Sequence, residues 1–537
     1  MATTRRSGGR TDPNVAPLYV PATLLAKRFA VPDAHRDRGI HMVAGSGSGK
    51  SLTLGLIAFM DFMRGVPQVL FDPTGQMIDA FLMYVAQFSR PLRRRVWPLI
   101  QYQDMAGRGA HVPAWPLLHE YPGDSRQDIA NRFLQTCRAI DPNLESASIQ
   151  GFNALYRVGA PVGIILSSLG LQLDRALDLL NAPERWAEPL AHAQRAYPDS
   201  QAAIDFLRTG YLPLSVNDRL GLTYSYRAKL EPILLDPRMT QMFCTSPASV
   251  DFGEVVRRRQ TVLLDFRHET DERKRLLKTR WAFDSIMAFI RRRGPGRHRP
   301  LALHFDEITE LTNQASGEHE LFTRDLDYLF NVLQRNYSCW ITAAHQQMWQ
   351  LSEPTQQTLS SLGTQIIGVV SDIDTAEALA RQYAPLDPHR VKRMRPVWMK
   401  DKEDVPFIAA EEPVDYPMHE QTFVAAQTFM RLKPFEFLVL PRYSRTVQRV
   451  SLAGSVGSPW PSEYARLLAY IRKRLSQRAR AIAQRRAMAL AAEGQSDAGL
   501  RAFDRMNHGS QDSLEQSDAA LLDSEDFWDA SEEDADE

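Results

Sequence analysis

The segment Ala44-Gly45-Ser46-Gly47-Ser48-Gly49-Lys50-Ser51 constrains this chain more than any other. Three glycines let a loop curl until its backbone N–H groups converge, and converging N–H groups bind phosphate. Lys50 is placed to reach the β- and γ-phosphates of a nucleoside triphosphate, and the Ser51 hydroxyl to ligate Mg²⁺. The pattern is that of a P-loop with Ala44 in place of the first glycine. Its flanks fit. Ile40 to Val43 is a short apolar strand candidate, and Leu52, Leu56 and Phe59 recur at helical spacing behind the loop. The helix opens at the loop and adds the positive end of its dipole. Gly45, Ser46, Gly47, Ser48, Gly49, Lys50 and Ser51 are therefore candidate binding residues for ATP and Mg²⁺.

A P-loop needs a second metal-side carboxylate at the end of a neighbouring strand. The apolar run Leu301 to Phe305 ends in Asp306-Glu307 and supplies it. Asp306 is the candidate metal ligand together with Ser51, and Glu307 is the candidate to polarise an attacking water. Adjacent Asp-Glu suits a hydrolysing ATPase better than a small-molecule kinase. No Asn-Lys-x-Asp guanine-reading motif is present, which argues against a GTPase.

Lys50 and Asp306 are too far apart in sequence for a minimal P-loop core. Residues 124–242 explain the excess, because the apolar positions there keep helical spacing, as Ile129, Phe133 and Cys137 do. Strand signals flank this stretch at Gln68–Phe71, Thr261–Phe266, Leu301–Phe305, Cys339–Ala344 and Gln365–Val370. Strands that are apolar throughout and alternate with helices imply a parallel sheet covered on both faces. The expected organisation is an N-terminal arm (1–36), a P-loop domain in two parts (37–122 and 246–450), an inserted all-α domain (123–245), a linker and basic helix (451–510), and a disordered acidic tail (511–537).

The order of these features resembles the type IV coupling proteins, the conjugative DNA-transfer ATPases of the FtsK/HerA superfamily. His41-Met42-Val43 runs into the P-loop, a strand ends in Asp72-Pro73-Thr74-Gly75, and a helical insertion follows. Then come Asp306-Glu307 and Ala343-Ala344-His345-Gln346-Gln347. The resemblance covers roughly residues 37–122 and 246–450. It implies a RecA-like α/β fold, with Lys50, Asp306, Glu307, Arg335 and Gln346 as catalytic residues. Gln346 falls where the family places a γ-phosphate-sensing glutamine, and Arg335 matches its arginine finger. A finger supplied by a neighbouring subunit implies a ring, by resemblance a homo-hexamer. The implied activity is ATP-driven DNA translocation, with a relaxase or secretion-channel proteins as partners. HerA-like helicases and genome-packaging motors share the same site. A nucleotide-dependent scaffold without turnover is the reading from another class, and it predicts a dispensable Glu307.

Charge indicates where partners are expected. Lys plus Arg and Asp plus Glu both number 64, yet residues 511–537 hold twelve acidic and no basic residues. The preceding body therefore carries 64 basic against 52 acidic residues, which suits a DNA-binding protein with an acidic tail free for a protein partner. Arg93–Arg95, Arg257–Arg259 and Arg291–Arg293 are candidate DNA contacts whose alternative is a helix end. Trp349, Trp398 and Trp460 are expected in the core or an interface. Three scattered cysteines exclude a disulfide framework. The longest apolar run, Val158 to Leu173, contains Pro161 and is short for a bilayer span, so a buried helix is expected. Coupling proteins usually begin with a two-helix membrane anchor. None is legible here, so the expected location is cytoplasmic, peripheral at the inner membrane through partners.

Overall fold

The computed structural model describes residues 33–494 except 110, 122, 141–148, 312–325, 327, 385, 401–405, 442–446 and 453–461. Most of the N-terminal arm, the whole acidic tail and Trp460 lie outside the described residues.

The apolar runs form a nine-stranded sheet in the order β11-β10-β7-β1-β6-β5-β2-β4-β3. Its strands are β1 (Ile40–Val43), β2 (Gln68–Asp72), β3 (Ile100–Asp104), β4 (Thr261–Asp265), β5 (Leu301–Phe305), β6 (Cys339–His345), β7 (Thr364–Ile367), β10 (Glu436–Pro441) and β11 (Gln448–Ser451). The strands from β7 across to β3 run parallel, and β10 and β11 close one edge antiparallel. A separate hairpin pairs β8 (Val391–Lys400) with β9 (Pro406–Asp415). It projects Met394, Trp398 and Ile408 into solvent. Trp349 is exposed too, so neither it nor Trp398 is a core residue of the single chain.

Period-2 alternation sorts each strand between two cores. Leu301, Leu303 and Phe305 of β5, with Cys339, Ile341 and Ala343 of β6, face one side. Met42 of β1, Ala344 of β6 and Ile366 of β7 face the other. On that second side lie α1 (Lys50–Met63), the P-loop helix, and α2 (Gln76–Ala86). These two helices approach closely at Gly55, where an added Cβ would sit 2.6 Å from Ala80 Cβ. The first side is covered in part by α3 (Glu272–Arg293). Among the described residues, every element between β3 and β4 is helical. The apolar residues of that stretch, including Phe133, Val158 and Tyr226, form one continuous core with Val69, Leu264 and Leu303 of the sheet.

The basic C-terminal helix, α4 (Ser462–Gly494), is anchored rather than free. Leu468, Ile471 and Leu475 enter the α1–α2 core. Arg472 pairs with Asp79, and Arg478 donates to the Trp97 carbonyl at 2.7 Å. Among the described residues, no helix is long and apolar enough to cross a membrane.

Candidate nucleotide-binding site

A parallel sheet places the ends of its strands side by side, and ligands bind at the carboxyl edge. Here β6 lies between β1, which leads into the P-loop, and β5, which leads into Asp306-Glu307. The loop is tied down by its own backbone: Ala44 N–H donates to the His345 carbonyl (3.3 Å) and Gly45 N–H to that of Val369 (2.8 Å). Gly47 and Gly49 have φ of 74° and 90°, the left-handed region open to glycine. Gly49 also has no room for a Cβ, which would fall 2.3 Å from the Phe435 ring. Gly49 is the N-cap of α1, so that helix's first N–H groups are available to an anion.

The two halves of the predicted site meet. Lys50 Nζ donates to Glu307 Oε2 at 2.9 Å and to the Asp306 carbonyl at 2.7 Å. Ser51 Oγ lies 3.0 and 2.9 Å from the two carboxylate oxygens of Asp306. Thr309 Oγ1 donates to Glu307 Oε1 at 2.7 Å and fixes that side chain from behind. Burial pushes the Asp306 carboxyl up, against the pull of Lys50 and the Ser51 hydrogen bond. Asp72, closing β2, is pushed up to about 7 by burial and then by the charge of Asp306. It accepts from the N–H groups of Gly75 (2.6 Å) and Ile78 (2.8 Å) and organises the turn into α2.

These residues suit a magnesium nucleotide. The Ser48 hydroxyl is buried without a hydrogen-bond partner among the described residues, in the loop where phosphate would lie. Ser51 and Asp306 offer oxygen donors, the kind a hard divalent cation takes. Among the described residues, no cluster of three or more His, Cys, Asp or Glu could hold a metal unaided. Phosphate oxygens would complete the shell, as is usual for Mg²⁺.

Gln346 follows β6, half-buried, between the P-loop and Asp306-Glu307. Arg335 does not join them. It is exposed, just before the opposite end of the seven-residue β6, so roughly 23 Å of strand separates it from the P-loop edge. There it lines a depression of about 370 Å³ with Asp37, Arg38, Ser361 and Gly363. Arg291–Arg293 form the last turn of α3. Arg292 pairs with Asp124, and Arg293 donates to the Tyr337 carbonyl, so this cluster follows the helix-end alternative. His304 is fully buried, with Nε2 3.4 Å from Asp61 Oδ2, in keeping with a core role.

The sequence reading missed Thr74, whose Oγ1 lies 3.4 Å from Asp306 Oδ2. It also missed Phe435, which holds φ 64° while its N–H donates to the Ser48 carbonyl at 2.8 Å. Asp72-Pro73-Thr74-Gly75 was a visible turn signal, whereas nothing near Phe435 in sequence marks it as a neighbour of the P-loop.

No family model and no curated protein matches the chain. Among solved structures it is similar to the bacterial conjugative coupling protein TrwB in its unbound deltaN70 form. The identity is 15%, over 80% of this chain and 87% of that one, with a TM-score of 0.48. It is similar to TrwB in complex with ADP and Mg²⁺, at 15% identity over 79% and 87% with a TM-score of 0.45. It is also similar to VirB4 of Thermoanaerobacter pseudethanolicus, at 12% identity over 84% and 99% with a TM-score of 0.45.

Proposed function

We propose that this protein is an ATP-hydrolysing DNA translocase of the coupling-protein kind. The observation that carries the ATPase reading is the meeting of Lys50 and Ser51 with Asp306 and Glu307 at one edge of the sheet. The P-loop N–H groups and Lys50 bind the β- and γ-phosphates, and Ser51 and Asp306 hold Mg²⁺. When bound, that ion neutralises charge on the transferring phosphoryl group. Glu307, held by Thr309, orients and polarises the attacking water. Gln346 reports the γ-phosphate from the end of β6.

Arg335 serves a different nucleotide. Its place at the opposite edge of the sheet removes it from its own P-loop and suits delivery to a neighbouring copy, hence a ring, by resemblance a hexamer. The DNA assignment rests on the motif order and the basic body. In this reading residues 123–245 face incoming DNA, a relaxase or secretion channel is the partner, and the protein works at the cytoplasmic face of the inner membrane.

The test is steady-state ATP hydrolysis by protein of measured oligomeric state, with and without single- and double-stranded DNA. Stimulation by DNA is expected. Hydrolysis indifferent to either DNA form refutes the translocase reading. Absence of hydrolysis, with ATP bound, favours the scaffold without turnover.

A further inference from the structure

The hairpin of β8 and β9 stands apart from the nine-stranded sheet, and the reaction above does not use it. A two-stranded hairpin leaves one edge of each strand unpaired, and alone it is only marginally stable in water. The residues of β8 are exposed at every position but Val397. Met394 and Trp398 share one face of that strand, and Ile408 of β9 stands opposite Trp398. Trp398 is 60% exposed and Ile408 51%. Scattered exposed apolar residues are ordinary, but a group of them on one small hairpin marks an interaction surface. The body holds the hairpin near its base, where Lys392 pairs with Glu420 and lies over the Tyr416 ring.

Charge divides the two strands. β8 carries Lys392, Arg393, Arg395 and Lys400 and no acidic residue. β9 carries Glu411, Glu412 and Asp415 and no basic residue. Among the described residues Arg393, Arg395, Glu411, Glu412 and Asp415 have no ion-pair partner, although Arg395 and Glu412 stand opposite each other in the register. The two arginines and the three carboxylates lie at one level, in the half of the hairpin nearer its base. Two copies can meet edge to edge in three ways. β8 on β8 opposes basic residues to basic, and β9 on β9 acidic to acidic, and like charges facing across strands are destabilising. Only β8 of one copy on β9 of the next opposes unlike charges. That contact uses a different surface on each partner, so it repeats head to tail and closes into a ring where the rotation allows. Pro396 and Pro413 each remove a backbone donor, so side chains rather than a continuous ladder choose the partner.

We propose that the β8–β9 hairpin is a contact between copies of this chain, with the basic β8 edge of one copy docked on the acidic β9 edge of the next. The inference rests on the ring reading and deepens it, because it names a surface that joins the subunits and fixes their direction. The charged edges select the partner, and the exposed Met394, Trp398 and Ile408 supply apolar area to bury. A head-to-tail contact gives every subunit the same neighbour on the same side, which delivery of Arg335 to the next nucleotide also requires. Nucleic acid suits the hairpin less well, since Glu411, Glu412 and Asp415 beside the arginines repel a phosphate backbone.

The test uses two charge-reversed full-length chains. Arg393→Glu with Arg395→Glu places two carboxylates on β8 level with those of β9. Glu411→Lys with Glu412→Lys places two ammonium groups on β9 level with Arg393 and Arg395. Either chain alone sets like charge against like at every contact of the ring. Its dissociation constant for assembly should rise about tenfold or more, read by sedimentation velocity at about 50 mM salt with Mg²⁺ and a non-hydrolysable ATP analogue. The two chains mixed should assemble again, because an alternating ring opposes unlike charges at every contact. A role confined to folding of the hairpin predicts no such recovery, since the like charges within each chain remain. Binding of the analogue by each variant reports that the ATPase body is folded. Wild-type assembly by either variant alone overturns the proposal, as does a mixture that assembles no better than its components. If assembly is unchanged and DNA binding weakens in the β8 variant, Arg393 and Arg395 serve DNA and the proposal falls. A wild type that stays monomeric under these conditions refutes the ring reading itself and the contact with it, so the two failures are distinguishable.

Discussion

Glu307→Gln should separate binding from turnover, and the structure sets the size of both effects. Glu307 Oε2 accepts from Lys50 Nζ at 2.9 Å, with both side chains largely shielded from solvent at 11% and 8% exposure. A hydrogen bond between charged groups contributes about 1.5–3 kcal/mol and a neutral one about 0.5–1.5 kcal/mol. The glutamine amide still accepts from charged Lys50, but without the opposite charge the hold on Lys50 weakens by up to about 1 kcal/mol. Lys50 must turn to phosphate when ATP binds, so the variant should bind ATP more tightly, by up to about fivefold. Asp306 and Ser51 keep their contacts, so the Mg²⁺ ligands survive. Turnover should fall by about 10²–10⁴, the usual contribution of a positioned base. Fluorescent-nucleotide titration and steady-state phosphate release measure the two quantities on one preparation. Wild-type turnover would refute the role of Glu307, and weakened binding would refute the competition for Lys50.

Arg335→Ala alone should lose about 10³ or more in turnover if it acts across an interface. Mixing it with Glu307→Gln should then recover activity, and verified mixed oligomers that stay inactive speak against delivery from a neighbour. Gly55→Ala tests the α1–α2 contact. The new methyl gains about 1 kcal/mol of helix propensity. It meets Ala80 Cβ at 2.6 Å and the Met77 carbonyl at 2.9 Å, and overpacking of this kind costs about 1–3 kcal/mol. Net destabilisation in a urea titration is expected, and a stabilised variant would show that the helices can part freely. Acid should unfold the protein through its buried histidines. His41 and His345 are held at about 3, and His111 and His119 at about 4, all depressed chiefly by burial. A depressed histidine contributes stability that is complete above its unfolded value of 6.5 and is lost as pH falls towards its folded value. Each can remove up to about 1.4 kcal/mol per pH unit in that window. His41→Gln should flatten the acid limb of a pH–stability curve, and an unchanged slope would contradict the burial of that ring.

What could be read in the sequence follows how local the physics is. The P-loop and the Asp306-Glu307 pair were legible because each half of the site carries its own contiguous signature. Their meeting needed only the rule that parallel strands end on one edge, even with Lys50 and Asp306 256 positions apart. The buried strands β1, β2, β4, β5, β6 and β7 were legible as apolar runs. β3 was not, because Gln101 and Gln103 alternate with its apolar residues at the edge of the sheet. β10 and β11 also passed unread, the latter being a short, largely exposed edge strand. Composition marked α4 only as a basic helix. Its Leu468, Ile471 and Leu475 recur at helical spacing, and that stripe is what seats it on β3 and α2. The buried contact between the His41 and His345 rings lies at the other extreme. His41 and His345 are 304 residues apart, and no spacing rule links them. Their partnership follows from the register of β1 on β6, where His41 pairs with Ala343 and the next inward-facing residue of β6 is His345. Strand identity alone would have left that register open, and a one-residue slip would have turned one ring to the opposite face. The contact between the two rings below the P-loop is therefore a property of the register, and it belongs to the same packing that carries Gln346 to the site.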